Sequence, residues 1–185
     1  MTQMQLIQHI STFDRHIKVV KLRNTLKQES FSLRELVDLT FYPDKAIANK
    51  ASRILENILY RFPKNYTDDV AYLVERVTDV NCSSCLKHYA KIIMRLTSPE
   101  VPRVIRDRMK EIDLEPVVEL CFNWLQDPKM LTGIRASAAE ALFNMRHRYP
   151  WIAEALSREL EGMIPEATPM LKARANYVLS FLHCE

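Results

Sequence analysis

Two glycines, Gly133 and Gly162, serve a chain of 185 residues that carries nine prolines. Average usage is about 7% Gly and 5% Pro. Loops that cradle phosphate need closely spaced glycines, so GxGxxG and GxxxxGK[ST] are absent and nothing like them can be built. Tight β-hairpins also lean on Gly, which disfavours an all-β fold. The prolines act as punctuation instead. Pro43, Pro63, Pro99, Pro116, Pro128, Pro150, Pro165 and Pro169 fall between segments of helical period, and Pro102 follows in the turn after Pro99. Between them apolar residues recur at three and four, as in Leu55, Ile58, Leu59, Phe62 and Val117, Leu120, Cys121, Trp124. That is the period of amphipathic helices, and alternating β-type runs are missing. The pattern predicts helices near 3–27 (with Ser11-Thr12 as an optional break), 33–41, 46–61, 68–79, 83–97, 100–112, 116–127, 134–148, 151–163 and 170–183. Ser32 and Glu35 form a capping box for the second of these, and Thr168-Pro169 reads as N-cap and first residue of the last.

An internal repeat organises these helices. ASRILENILYRFP at 51–63 and AAEALFNMRHRYP at 138–150 pair Ala51 with Ala138, Leu55 with Leu142, Asn57 with Asn144, Arg61 with Arg148, Phe62 with Tyr149 and Pro63 with Pro150. The constant offset is two units of about forty residues, a length typical of helical repeats. Ala90 with Met94, and Ala175 with Leu179, supply the intervening and following units. A small residue at this place lets two helices approach closely, and the Leu one turn on fills the adjoining core layer.

The segment 125–142, LQDPKMLTGIRASAAEAL, resembles the HEAT-repeat consensus through Asp127, Pro128, Ile134, Arg135, Ala138, Ala139 and Leu142. The resemblance implies an all-α, α-α superhelix of about four hairpins in one domain, 1–185. Its parts are an N-terminal helical cap at 1–31, repeats at 32–63, 64–98, 115–149 and 150–183, and an inserted helix at 99–114. Ala51, Leu55, Ala90, Asp127, Ala138, Leu142, Ala175 and Leu179 are the expected structural positions. Lys50, Arg53, Lys87, Lys91, Arg135, Lys172 and Arg174 fall near the starts of the second helices, which line the concave side of such a solenoid. They form the expected partner-binding face. Arg103, Arg106 and Lys110 give the inserted helix a basic side.

The total charge of +3 is too balanced to predict nucleic-acid binding. Its distribution is uneven: residues 1–110 carry 19 Lys/Arg against 12 Asp/Glu, and 111–185 carry 7 against 11. Cys82-Ser-Ser-Cys85-Leu-Lys-His88 offers three metal-type ligands where a structural zinc site needs four, so no metal is expected. No HExxH, no GxSxG and no triad of nucleophile, base and orienter is present, and the signature loops of the adenylosuccinate lyase superfamily are absent. The first residues lack the charged start and apolar run of a signal peptide, no stretch is apolar enough to cross a bilayer, and four cysteines without a leader suggest reduced thiols in the cytoplasm. The expectation is a non-catalytic adaptor or scaffold that takes a protein partner on its concave face, without a cofactor and without a membrane anchor. The alternative is a nucleic-acid binder similar to the HEAT-like alkylpurine DNA glycosylases, with Trp124 and Asp127 on one helix face as its aromatic and acid.

Overall fold

The computed structural model describes residues 3–12 and 32–183. Every regular element among them is helical. The ten α-helices among the described residues are α1 (Gln3–Thr12), α2 (Leu33–Leu39), α3 (Lys45–Arg61), α4 (Val70–Val77), α5 (Ser83–Thr97), α6 (Arg103–Lys110), α7 (Glu115–Gln126), α8 (Thr132–Met145), α9 (Trp151–Met163) and α10 (Pro169–Leu182). Of the helix expected over 3–27, the part beyond Thr12 lies outside the described residues. The chain forms two compact units, Met1–Ile92 and Ile93–Glu185.

In the first unit α3 packs against α1 and α2, and α2 packs against α4. The capping box opens α2 as expected: Glu35 N–H donates to Ser32 Oγ at 3.2 Å, and Ser32 N–H to Glu35 Oε2 at 2.8 Å. Asp44 caps α3 by accepting from Ala46 and Ile47. These bonds satisfy donors that a helix start leaves without intrahelical partners. Leu6, Ile10, Leu36, Val37, Ala51, Leu55, Leu73 and Tyr89 are buried in the core. Tyr89 brings a hydroxyl with it, and that hydroxyl is satisfied: it donates to Thr40 Oγ1 at 2.6 Å, and Thr40 donates in turn to Val37 O at 2.6 Å. Burial raises the Tyr89 phenol well above its ordinary range.

In the second unit α8 is central, packing against α7, α9 and α10, while α9 also packs on α10. This explains its composition. A helix touched on several sides cannot carry a single apolar stripe, and α8 buries Ile134, Ser137, Ala138, Ala139, Ala141, Leu142 and Met145. Thr168 caps α10, with Pro169 at its first position. Ala51, Leu55, Ala90, Ala138, Leu142, Ala175 and Leu179, all expected at structural positions, are buried.

Three local expectations are corrected. Helix α6 begins after Pro102, not at residue 100, because a residue before proline is pushed out of the helical region; Arg103 is its first residue. Helix α8 begins at Thr132, not at residue 134, and takes in Gly133; neither glycine has positive φ or a neighbour within 4 Å of an added Cβ. A 3-10 helical segment, Pro63–Asp69, precedes α4 where a direct helix start was expected.

Candidate functional site

The repeated motif at 144–150 builds a clamp. Arg148 does not close its own helix. Its guanidinium crosses to the end of α6, donating to Met109 O at 2.8 Å and Ile112 O at 2.6 Å. Carbonyls at a helix end are short of intrahelical donors, and a cation suits a helix C-terminus. Beside it Tyr149 Oη accepts from Leu114 N–H at 3.2 Å. Asn144 reaches the other way, donating to Met94 O at 3.3 Å and Thr97 Oγ1 at 3.4 Å of α5. Together they hold the end of α5, the short α6 and residue 114 around the C-terminal end of α8.

A cleft of about 550 Å³ opens between these parts. Leu96, Val101, Met109, Leu114, Met145 and Phe181 give it apolar walls. Arg106, Lys110, Arg146 and Arg148 also line it, and no Asp or Glu does. Arg106 and Lys110 were singled out in the sequence as the basic side of the inserted helix, and both meet the cleft; Arg103 pairs instead with Asp107 at 3.4 Å. Lys110 shares that carboxylate at 3.1 Å, and hydrogen bonding from Lys110 holds the Asp107 carboxyl below its ordinary range.

An aromatic row runs out of the cleft. Phe143 of α8 meets Phe181 of α10 at 6.0 Å between ring centroids, and Phe181 meets Tyr177 one turn back at 5.0 Å. Arg146 lies over the Phe143 ring at 3.8 Å and Arg174 over Tyr177 at 5.6 Å. Tyr177 and Phe181 are 54% and 45% exposed and adjoin each other, so they form a small contiguous apolar patch. Sequence reading missed this row. Its signal is Tyr177-x3-Phe181, an i, i+4 aromatic pair on one face of a helix.

The seven basic residues expected on a concave face are divided between the two units. Lys50, Arg53, Lys87 and Lys91 belong to the first; Arg135, Lys172 and Arg174 belong to the second. Several already have internal partners. Lys50 Nζ donates to Ser11 O at 2.8 Å, Lys91 faces Glu56 at 3.6 Å, and Arg174 pairs with Glu140 at 2.7 Å. Arg135 Nε donates to Leu125 O at 2.8 Å, tying α8 to the end of α7. The charged ends of Arg53, Lys87 and Lys172 have no partner among the described residues. Lys87 and Lys172 are exposed, and Arg53 is half-buried.

The cysteine cluster is equally committed. His88 is buried with Nδ1 on Glu56 Oε2 at 2.5 Å, and Cys85 Sγ points at Thr40 O. Cys82 stands before the first residue of α5, its carbonyl accepting from Cys85 and Leu86 N–H. Burial works to raise the Cys82 thiol, but hydrogen bonds from Cys85 and Ser84 outweigh it and hold the thiol below its ordinary value. Burial pushes the Cys85 thiol up to about 11. No group of three His, Cys, Asp or Glu side chains among the described residues is placed to hold a metal ion. Trp124, proposed as an aromatic for base recognition, is 4% exposed and part of the core. Asp127 Oδ1 accepts from Lys129 N–H at 2.8 Å, closing the turn before α8. No described helix is long and apolar enough to cross a membrane.

Compared with protein-family models, curated proteins and solved structures, the chain matches none.

Proposed function

We propose that this chain is a non-catalytic adaptor that binds a protein partner, built as a short HEAT-like solenoid. The observation that carries the proposal is the aromatic row of exposed Tyr177 and Phe181 with half-buried Phe143, flanked by Arg174 and Arg146. Tyr, Phe and Arg are enriched at interfaces, where a few such anchors supply most of the binding energy. The HEAT-like reading draws support from the pairing of α7 with α8 and of α9 with α10, and from the packing of α8 on α10. The buried Ala138 and Ala175 are of the size that such close packing asks for. Within the first unit α2 and α3 pair in the same way. The partner face is then the outer surface of α8 and α10, not the basic set read from the sequence.

The test is affinity capture with the full chain and with a Tyr177→Ser, Phe181→Ser double variant. The wild type is expected to retain one stoichiometric protein at high salt, and the variant to lose it. Capture unaffected by the double variant refutes this face.

The interleaving of rings and guanidinium groups also favours a second reading, stacking of single-stranded nucleic acid. That reading requires an affinity that falls steeply with salt. Arg174 is already paired with Glu140, which weakens it. Base excision is further from what is seen, because Asp127 is engaged in its own turn and Trp124 is buried.

A further inference from the structure

We propose that the cleft at the end of α8 binds an amphiphilic carboxylate, a fatty-acid-like chain with one anionic head. Its volume, about 550 Å³, lies within the range of about 300–1,000 Å³ of small-molecule sites. Its walls ask for an apolar tail. The neutral polar side chains that line it are Thr97, Ser98, Asn144 and His147. Thr97 and Asn144 are spent on each other and on the α5 backbone, and Ser98 Oγ accepts from Glu100 N–H at 3.2 Å. They leave little to read the heteroatoms of a sugar or a base.

Its charge asks for an anion. Four cationic side chains line the cleft and no carboxylate does. The Arg106 side chain is exposed and its guanidinium has no hydrogen-bond or ion-pair partner among the described residues. The Arg148 guanidinium is held in place by backbone carbonyls, which leave its charge without a carboxylate. Lys110 shares one exposed Asp107 with Arg103. A cationic amphiphile is repelled by this set, and a neutral one gains nothing from it. A planar carboxylate suits the guanidinium of Arg106, which presents paired donors. The tail then lies along Val101, Met109, Leu114 and Met145, all buried residues whose side chains form the walls.

The experiment is calorimetric titration of the whole chain with dodecanoate below its micellar concentration, with decanoate, dodecanol and dodecyltrimethylammonium in parallel. Methyl NMR locates the contact. One saturable site is expected, with decanoate weaker by about tenfold for its two missing methylenes. Dodecanol is expected to bind at least about tenfold more weakly than dodecanoate, and the cationic amphiphile more weakly still. Arg106→Glu weakens dodecanoate by about tenfold or more, while Lys129→Glu, an equal charge change on the exposed turn between α7 and α8, leaves it unchanged. Shifts are expected at Val101, Met109, Leu114 and Met145. The proposal is overturned by any of four results: no saturable binding, equal affinity for dodecanol, equal loss in both charge variants, or shifts elsewhere. The cleft shares Phe143, Arg146 and Phe181 with the proposed partner face, and Arg106→Glu separates the two readings: it weakens dodecanoate while leaving capture of a Tyr177-dependent partner in place.

Discussion

Replacing Arg148 by methionine keeps most of the aliphatic stem and deletes the fork that holds α6. The wild-type guanidinium makes two charge-assisted hydrogen bonds, 2.8 Å to Met109 O and 2.6 Å to Ile112 O. Such bonds contribute about 1.5–3 kcal/mol each when sheltered. Arg148 is exposed, so water replaces part of what is lost and the sum must be discounted. A net cost of about 2 kcal/mol is expected, or a fall in Tm of about 4–8 °C for a chain of this length. The loss should also be local. Helix α6 has eight residues, too short to persist without tertiary support. Arg148→Met should therefore speed hydrogen exchange of the α6 amides well before those of α8. Arg148→Lys should recover less than half the stability, because an ammonium keeps the charge but cannot span both carbonyls. Denaturant unfolding and residue-resolved exchange measure the two effects. Unchanged α6 protection in Arg148→Met, or full recovery in Arg148→Lys, refutes the clamp.

Two further outcomes follow from burial and backbone. Burial pushes the Cys121 thiol up from 9.0 to about 12. The folded chain keeps a proton that the unfolded chain releases, so this contribution is whole below pH 9 and is lost as pH rises toward 12. By pH 10.5 it should have fallen by about 2 kcal/mol. Urea titrations from pH 8 to 10.5 should show a shallower decline for Cys121→Ala than for wild type, and parallel declines count against the assignment. Gly162 lies in the last turn of α9, with open space where a Cβ would sit and no left-handed φ. Gly162→Ala should stabilise by about 0.5–1 kcal/mol in the same denaturation assay, and a destabilised variant contradicts that reading.

The helices were legible because their information is local. Apolar period, the Ser32–Glu35 box and Thr168-Pro169 lie within a few residues of the elements they define. The bounds slipped where a neighbour decides the outcome, as at α6, whose start waits for Pro102. The small residues of the repeat were legible for a similar reason: Ala138 and Ala175 recur with the packing they permit. The cleft was not legible. Its walls come from the end of α5, from α6, from residue 114, from the end of α8 and from Phe181, and no local pattern joins them. Arg148 shows the limit most clearly. The sequence marks it by repetition with Arg61, yet its partners lie 39 and 36 residues away, while Arg61 is exposed at the end of α3. Repetition identified a residue that matters to the chain without saying what it holds. The internal partners of the basic set were not legible for another reason. Arg135 and Arg174 are cations of the right kind at the right spacing, but the fold uses them internally, and net charge cannot distinguish a paired arginine from a free one.

The most direct test of the adaptor account is photocrosslinking from position 177. A benzophenone amino acid in place of Tyr177, on the exposed face of α10, should yield one discrete protein adduct in cells of the source organism. The same group in place of Leu131, which is 61% exposed on the turn before α8, should yield none. An adduct to one protein from position 177 alone is the expected result. No adduct from position 177, or the same products from both positions, contradicts the central claim that α8 and α10 present the partner face.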